Sequence, residues 1–373
     1  MFLNSINHFR AIAIVIIVAG HLYGVSGIKF DSFSQNVIGN LITGGTINFV
    51  FISGFLFHSV FYNRFKYSKF LKSKMKRVLV PYFFLSVIPI LFSLYTVPDY
   101  WNRIKSDDVI FGMYFISSLK FLISGSHLIA YWYIPFIILV FLMSPLHIKF
   151  IQLKFTNQIL ILILLGLVSL FIHRPFERIE VFQAIHSLVY FTPIYLFGII
   201  CSMHKDKIYK AAKNKELVLL LAAVLLAVIQ AYLGQNGNYM QPLSNISGIV
   251  DLVLIQKTIM CLFFMVWLNR FENITNPYVN TVAKFSFPIF FLHPYFLSFS
   301  FRVKSHFNIN FDYPWLMLIG FTLFFGIGSI LVAKLIGGIL PKYSVMLIGY
   351  GKKKKNTKFK KNLVEQNLAV SKA

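Results

Sequence analysis

Residues 10–27 read Arg10-Ala-Ile-Ala-Ile-Val-Ile-Ile-Val-Ala-Gly-His21-Leu-Tyr-Gly-Val-Ser-Gly27. An apolar run of this length suits a helix crossing the hydrocarbon of a bilayer, which takes about 20 mostly apolar residues. Two ionisable side chains interrupt it, eleven positions apart. Eleven residues correspond to ~16.5 Å of helix rise and three turns plus ~20°, so Arg10 and His21 share one face. Arg10 stands at the start of the run and His21 well past its middle. An imidazole that deep in apolar surroundings turns toward a cavity or a partner. The plainer readings are a hydrogen-bonded core histidine and an arginine anchoring the span at the headgroups. The segment has a charged start but no small-residue cleavage site in the right place, so it is expected to stay as a first span.

The rest of the chain repeats the apolar theme. Of 373 residues, 57% are hydrophobic and 13% charged, against roughly 45–50% and 25% in soluble domains. Blocks long enough to span occur at 10–27, 41–61, 78–96, 132–150, 158–173, 184–202, 217–234, 249–268, 283–301 and 315–339. The sequence therefore predicts an all-α fold, a polytopic integral membrane bundle of about ten transmembrane helices. Ile110–Ser124 is apolar but short and carries Lys120, which predicts an interfacial or re-entrant segment. Cys201 and Cys261 both fall inside apolar blocks and read as small buried hydrophobes.

The net charge of +24 on a soluble protein would suggest nucleic acid. Here the lysines and arginines sit in short loops between apolar blocks and in one tail, and no nucleic-acid-binding motif accompanies them. Such a pattern encodes topology and contact with anionic lipids. Arg64 to Arg77, Lys205 to Lys215 and the tail from Lys342 all fall on the inner side when the N-terminus is inside. Both termini are thus expected in the cytoplasm, with the protein a multi-pass component of the cell's inner, cytoplasmic membrane. The acids Asp31, Asp99, Asp107, Asp108, Glu177, Glu180 and Asp312 fall on the outer side. Residues 1–341 form the expected transmembrane domain, and 342–373 a basic, disordered tail near anionic lipid.

Further residues stand out by type. Lys74 and Arg77 precede Pro81-Tyr82 at i, i+3 spacing; on a helix they share a face, and a basic pair can hold phosphates, although basic loops are also what inner loops look like. Phe51-Ile-Ser53-Gly54-Phe55 places small residues in a span, as close helix packing requires. Trp132-Tyr133-Ile-Pro135 opens the fourth block as an interfacial belt would. Leu292-His293-Pro294 gives a second mid-span imidazole, and Asp251 and Lys257 sit on different faces of the eighth block, as packing or cavity-lining residues.

Together these fragments resemble the membrane acyltransferase family 3, ten-span proteins that O-acylate extracytoplasmic sugars. The most specific element is Arg10-x10-His21; Phe-x-Ser53-Gly54-Phe55, the basic pair before Pro81-Tyr82, Trp132-Tyr133-x-Pro135 and Leu292-His293-Pro294 support it. The family usually carries two arginines before the third span, and Lys74 here replaces the first, keeping the charge but not the planar fork. The resemblance implies an acyl-CoA donor, acetyl-CoA above all, held from the cytoplasm by Arg10, Lys74 and Arg77 with Ser53 nearby, and no metal. It implies His21 as general base toward a hydroxyl of a surface or lipid-linked polysaccharide, with Trp132 and His293 secondary. The rival reading of the buried His, Lys and Asp residues is a transporter or flippase of a polysaccharide precursor, which paired half-repeats with broken helices would favour; none is visible in the sequence.

The charge pattern makes one prediction directly. A cysteine placed at Asn238 reacts with an impermeant thiol reagent from outside intact cells and one placed at Lys210 does not; the reverse pattern contradicts the ten-span topology.

Overall fold

A computed structural model describes residues 3–96, 110–175, 182–235, 240–241 and 248–351. Of the sequence expectations, Asp99, Asp107, Asp108, Glu177, Glu180, Asn238 and the lysine run Lys352–Lys355 lie outside the described residues. The chain is a bundle of helices. α1 (Asn4–His21) and the single turn α2 (Tyr23–Ser26) lead to α3 (Phe33–Ile42) and α4 (Thr46–Leu56), which runs on through a π turn at Phe57–Phe61. α5 (Tyr67–Lys74) passes through a second π turn, Met75–Leu79, into α6 (Val80–Thr96). Next come α7 (Ile110–Ser124), α8 (Tyr133–Leu142), α9 (Ser144–Gln152), α10 (Phe155–Ile172), the short strand β1 (Arg174–Pro175) and α11 (Gln183–Met203). α12 (Lys205–Ala212) and α13 (Glu216–Tyr232) precede β2 (Met240–Gln241), which pairs parallel to β1 with Arg174 opposite Met240. α14 (Leu252–Asn269), α15 (Pro277–Lys284), α16 (Ser286–His306), α17 (Pro314–Ile339) and α18 (Ser344–Ile348) complete it.

Among the described residues, six helical runs are individually long and apolar enough to cross a membrane, and nine if each bent pair counts as one span. The bends are 54° between α8 and α9, 87° between α12 and α13, and 69° between α15 and α16. Pro145 explains the first: it sits in the opening turn of α9, where a residue without an N–H is tolerated, and so ends the helix before it. The remaining expected block, 10–27, covers α1 from Arg10 onward and the turn α2. α1 is not among the nine because it starts at Asn4 and carries Asn7, His8 and Arg10 in its first two turns. Apolar side chains left exposed, such as Phe84, Ile88 and Leu91 on α6 and Leu323, Leu331 and Leu335 on α17, form the surface that faces lipid.

Two differences from the sequence reading bear on the site. The basic loop is helical from Tyr67: α5 buries Phe70 and leaves Lys69 and Lys72 exposed, while Lys74, its last residue, turns inward on an element that continues into α6. The segment beginning at 342 opens with folded chain. α18 buries Ile348, and Tyr350 packs its ring 4.4 Å from that of Phe285.

Three contacts bring the basic clusters to one end of the bundle. Ser5 at the start of α1 stands next to Tyr209 of α12. Asn7, Arg10 and Lys74 line one cavity. Gly349 packs against the Arg77 carbonyl. The buried cation Lys257 plays a structural part, donating to the Asn40 and Leu41 carbonyls, both at 2.8 Å. These are among the last carbonyls of α3, which lack partners within the helix and attract positive charge. Asp251 caps α14 by accepting from the Leu254 amide at 3.0 Å, and takes the Tyr190 hydroxyl at 2.8 Å. Both cysteines are buried and free.

The tightest helix pair is α4 against α11. A Cβ on Gly54 would stand 2.0 Å from the Tyr195 carbonyl oxygen, and one on Gly198 would stand 2.2 Å from that of Phe51. Each glycine thus lets its backbone touch the other helix, as small residues do between membrane helices. Gly54→Ala or Gly198→Ala must push the helices apart and is expected to destabilise by about 1–3 kcal/mol, the range for overpacking. Gly166→Ala, inside α10 with nothing within 4 Å of the added carbon, should not lower stability. Thermal unfolding of the detergent-solubilised variants checks this; equal midpoints for all three would contradict the close contact.

Candidate active site

The site begins with the anchoring of α1. The Glu272 carboxylate accepts from the Asn4 and Ser5 amides, both at 2.9 Å, and its carbonyl accepts from the Asn4 side chain at 2.8 Å. An acid on the unpaired N–H groups of a helix start satisfies them and complements the helix dipole. Asn7 adds a side-chain hydrogen bond to Asn280. α1 is thereby fixed at the end where the basic clusters gather, and its periodicity then dictates where Arg10 and His21 stand.

Both turn toward α16. Arg10 donates from a terminal guanidinium nitrogen to the Ser286 hydroxyl at 2.9 Å. His21 meets His293, with Nδ1 of the first 3.1 Å from Nε2 of the second. The ring planes are 5° apart and the centroids 5.3 Å apart. With the facing nitrogens that close, the two rings meet edge to edge in nearly one plane. His293 is fully buried, and its Nδ1 lies 2.8 Å from the Ile289 carbonyl.

Two cavities lie along this face of α1. The larger, of about 350 Å³, is walled by Asn7, Arg10, Ser53, Lys74, Tyr133 and Tyr195, with apolar side chains between them. Lys74 enters it through a ring of aromatics, its Nζ 4.8, 5.3 and 4.7 Å from the ring centroids of Phe61, Phe70 and Phe141. An ammonium held over three π faces needs no carboxylate partner to be retained there. Ser53, beside the close contact at Gly54, presents its hydroxyl to that of Tyr133. Arg77 stands apart. The π turn after Lys74 breaks the i, i+3 relation expected from the sequence, and its side chain is exposed outside the cavity wall.

The smaller cavity, about 10 Å³, is bordered by His21, Thr46, Ala130, Trp132 and Phe290; that is near the least space that holds one water. Phe49 and Tyr133 line both cavities and so form the partition between them. Trp132 is buried here, with Arg174 over its ring at 5.0 Å and Phe191 stacked at 6.0 Å. The backbone turning into it is tight. Gly125 has φ +69, and a Cβ there would meet the Trp132 backbone at 2.5 Å. Ala130, beside His21, has φ +70, a left-handed conformation unusual for a residue with a side chain and of the sort found beside functional sites.

Of the seven residues the sequence picked out, Arg10, Ser53 and Lys74 line the larger cavity and His21 and Trp132 the smaller, His293 lies behind His21, and Arg77 stands outside both. Phe49, Tyr133 and Arg174 were not singled out as site residues. Tyr133 had a signal, being the second aromatic of Trp132-Tyr133-x-Pro135; Phe49 had none. Among the described residues no group of three or more His, Cys, Asp or Glu side chains is placed to hold a metal ion.

Fold and site together define a helical membrane protein with an internal cavity lined by Arg10 and Lys74 and, beside it, a buried imidazole pair. The chain belongs to acyltransferase family 3: the family's profile, described as an acyltransferase domain, matches residues 3–335. It is an acyltransferase. Neither the curated proteins nor the solved structures give a match.

Proposed function

We propose that this acyltransferase moves an acyl group, acetyl in the simplest case, from cytoplasmic acyl-CoA to a sugar hydroxyl of an extracytoplasmic or lipid-linked polysaccharide, across the inner membrane. The observation that carries the reading is the layout along α1: two cations lining one cavity, and an imidazole bordering the next, beyond Phe49 and Tyr133. Arg10 and Lys74 suit the phosphates of a coenzyme A nucleotide, and exposed Arg77 adds charge outside the mouth. The narrow apolar cavity suits a pantetheine arm. The thioester then stands at the Phe49–Tyr133 partition, and movement of those two side chains admits it to His21.

The chemistry balances without a further reagent. The sugar oxygen attacks the thioester carbonyl carbon while His21 takes the hydroxyl proton. The C–O bond of the ester forms, the C–S bond breaks, and His21 returns the proton to the departing thiolate. A neutral imidazole is suited to both transfers near pH 7. Acceptor approach from the opposite side accords with the orientation expected from loop charge, which puts the mouth with Arg10 and Lys74 in the cytoplasm.

Two experiments test this, both with membranes supplied with radiolabelled acetyl-CoA and scored for alkali-labile label in their own glycans. His21→Gln keeps hydrogen bonding but cannot accept the proton, and should lower transfer by about 10²–10⁴-fold, the worth of a general base, at unchanged protein level. Transfer near the normal rate contradicts the assignment of His21. Lys74→Ala should raise the donor KM roughly tenfold, in line with one charge-assisted bond. Arg77→Ala should raise it less, and that effect should fade in high salt, because exposed charges are screened. An unaltered donor KM in Lys74→Ala contradicts the assignment of Lys74 to the donor phosphates.

A further inference from the structure

We propose that His293 is a positioning residue that locks His21 in the tautomer required of the base; the inference rests on the acyl-transfer reading above. A count of hydrogens fixes the tautomers. The Ile289 carbonyl can only accept, so His293 Nδ1, 2.8 Å from it, carries the proton. A neutral His293 then has a bare Nε2, which can only accept. Its neighbour at 3.1 Å, His21 Nδ1, is therefore the donor. Neutral His21 is left with its lone pair on Nε2, which makes no hydrogen bond among the described residues, while the ring borders the small cavity with Thr46, Trp132 and Tyr133.

The geometry favours this bond over mere contact. Ring nitrogens direct their N–H or lone pair within the ring plane, and the two planes are 5° apart with the nitrogens facing. The chain of bonds runs from one backbone carbonyl to the cavity, Ile289 C=O ← H–Nδ1 His293 Nε2 ← H–Nδ1 His21 Nε2. It is anchored on a regular helix, α16, at a fully buried side chain. During transfer, the hydroxyl proton goes to His21 Nε2, His21 becomes the imidazolium, and its Nδ1–H still points at the His293 lone pair. His293 stays neutral throughout, and the proton on Nε2 leaves with the thiolate. This is the role of the orienting member behind a catalytic histidine, here taken by a second imidazole. A buried carboxylate in that position would add the desolvation of a charge inside the membrane.

The role is separable from packing by choice of side chain. In His293→Gln the amide oxygen can occupy the place of Nε2 and accept from His21. In His293→Asn the shorter side chain reaches only the level of Nδ1, and in His293→Phe the shape is kept without an acceptor. With radiolabelled acetyl-CoA and the membranes' own glycans, His293→Phe and His293→Asn are expected to lose about 10²-fold in kcat, at the lower end of a base's contribution, with donor KM within about twofold of normal. His293→Gln should retain at least tenfold more kcat than either. A His293→Phe or His293→Asn enzyme with normal kcat, a loss carried by KM, or a Gln variant no better than Asn at equal protein level would overturn the proposal. If the Phe variant fails to insert, the Gln-against-Asn comparison decides alone. Absence of transfer by the unaltered protein would instead refute the acyl-CoA reading on which the inference stands, so the two failures are told apart.

Discussion

The contact between α4 and α11, backbone against backbone at Gly54 and Gly198, sets the dimensions of the site. In a bilayer, apolar side chains gain nothing by leaving lipid for one another, so helices associate through close packing and the bonds that closeness allows. Here that closeness holds Ser53, Phe49 and Phe57 on one wall of the large cavity and Tyr195 on the adjoining one. Wider spacing at the two glycines would move the partition away from α1. The cavity thus owes its shape to residues with no chemistry of their own.

Polar groups inside this bundle are each resolved in a different way. Lys257 satisfies two carbonyls at the end of α3. Lys74 is held by three aromatic faces. Arg10 keeps one bond to Ser286 and the remainder of its fork for the cavity. The two imidazoles satisfy each other and a carbonyl, leaving one nitrogen of His21 bare. Among these charged and imidazole groups, those that keep bonding capacity and also line a cavity are the ones placed to meet a substrate. By that criterion Arg10, Lys74 and His21 stand apart from Lys257 and Asp251.

Much of this was legible from residue order. The period of a helix alone put Arg10 and His21 on one face, and hydropathy located the apolar helices, although the runs Phe33–Arg64 and Tyr67–Thr96 begin well before the blocks expected at 41–61 and 78–96. The cation at 74 and the small residues at 53 and 54 could be read as local patterns. What local pattern does not carry is the meeting of residues far apart in the chain. His21 and His293 are 272 positions apart, and each looks like an isolated buried imidazole until the fold joins them. The π turn after Lys74 was equally hidden, because no residue type announces it, and it separates Arg77 from the cavity that Lys74 enters. Phe49 is one of 42 phenylalanines; only its place between two cavities distinguishes it.

The central claim is that a donor held by cations at one end of α1 delivers its acyl group to His21 near the other. A structure of the protein with a non-hydrolysable acetyl-CoA analogue, a ketone in place of the thioester, tests it most directly. The account predicts nucleotide phosphates at Arg10 and Lys74 and the Phe49–Tyr133 partition open. It also predicts the ketone carbon placed so that an acceptor oxygen could lie about 3 Å from both it and His21 Nε2. An analogue whose acyl end stays at the mouth with the partition closed, or whose phosphates bind away from Arg10 and Lys74, would contradict it.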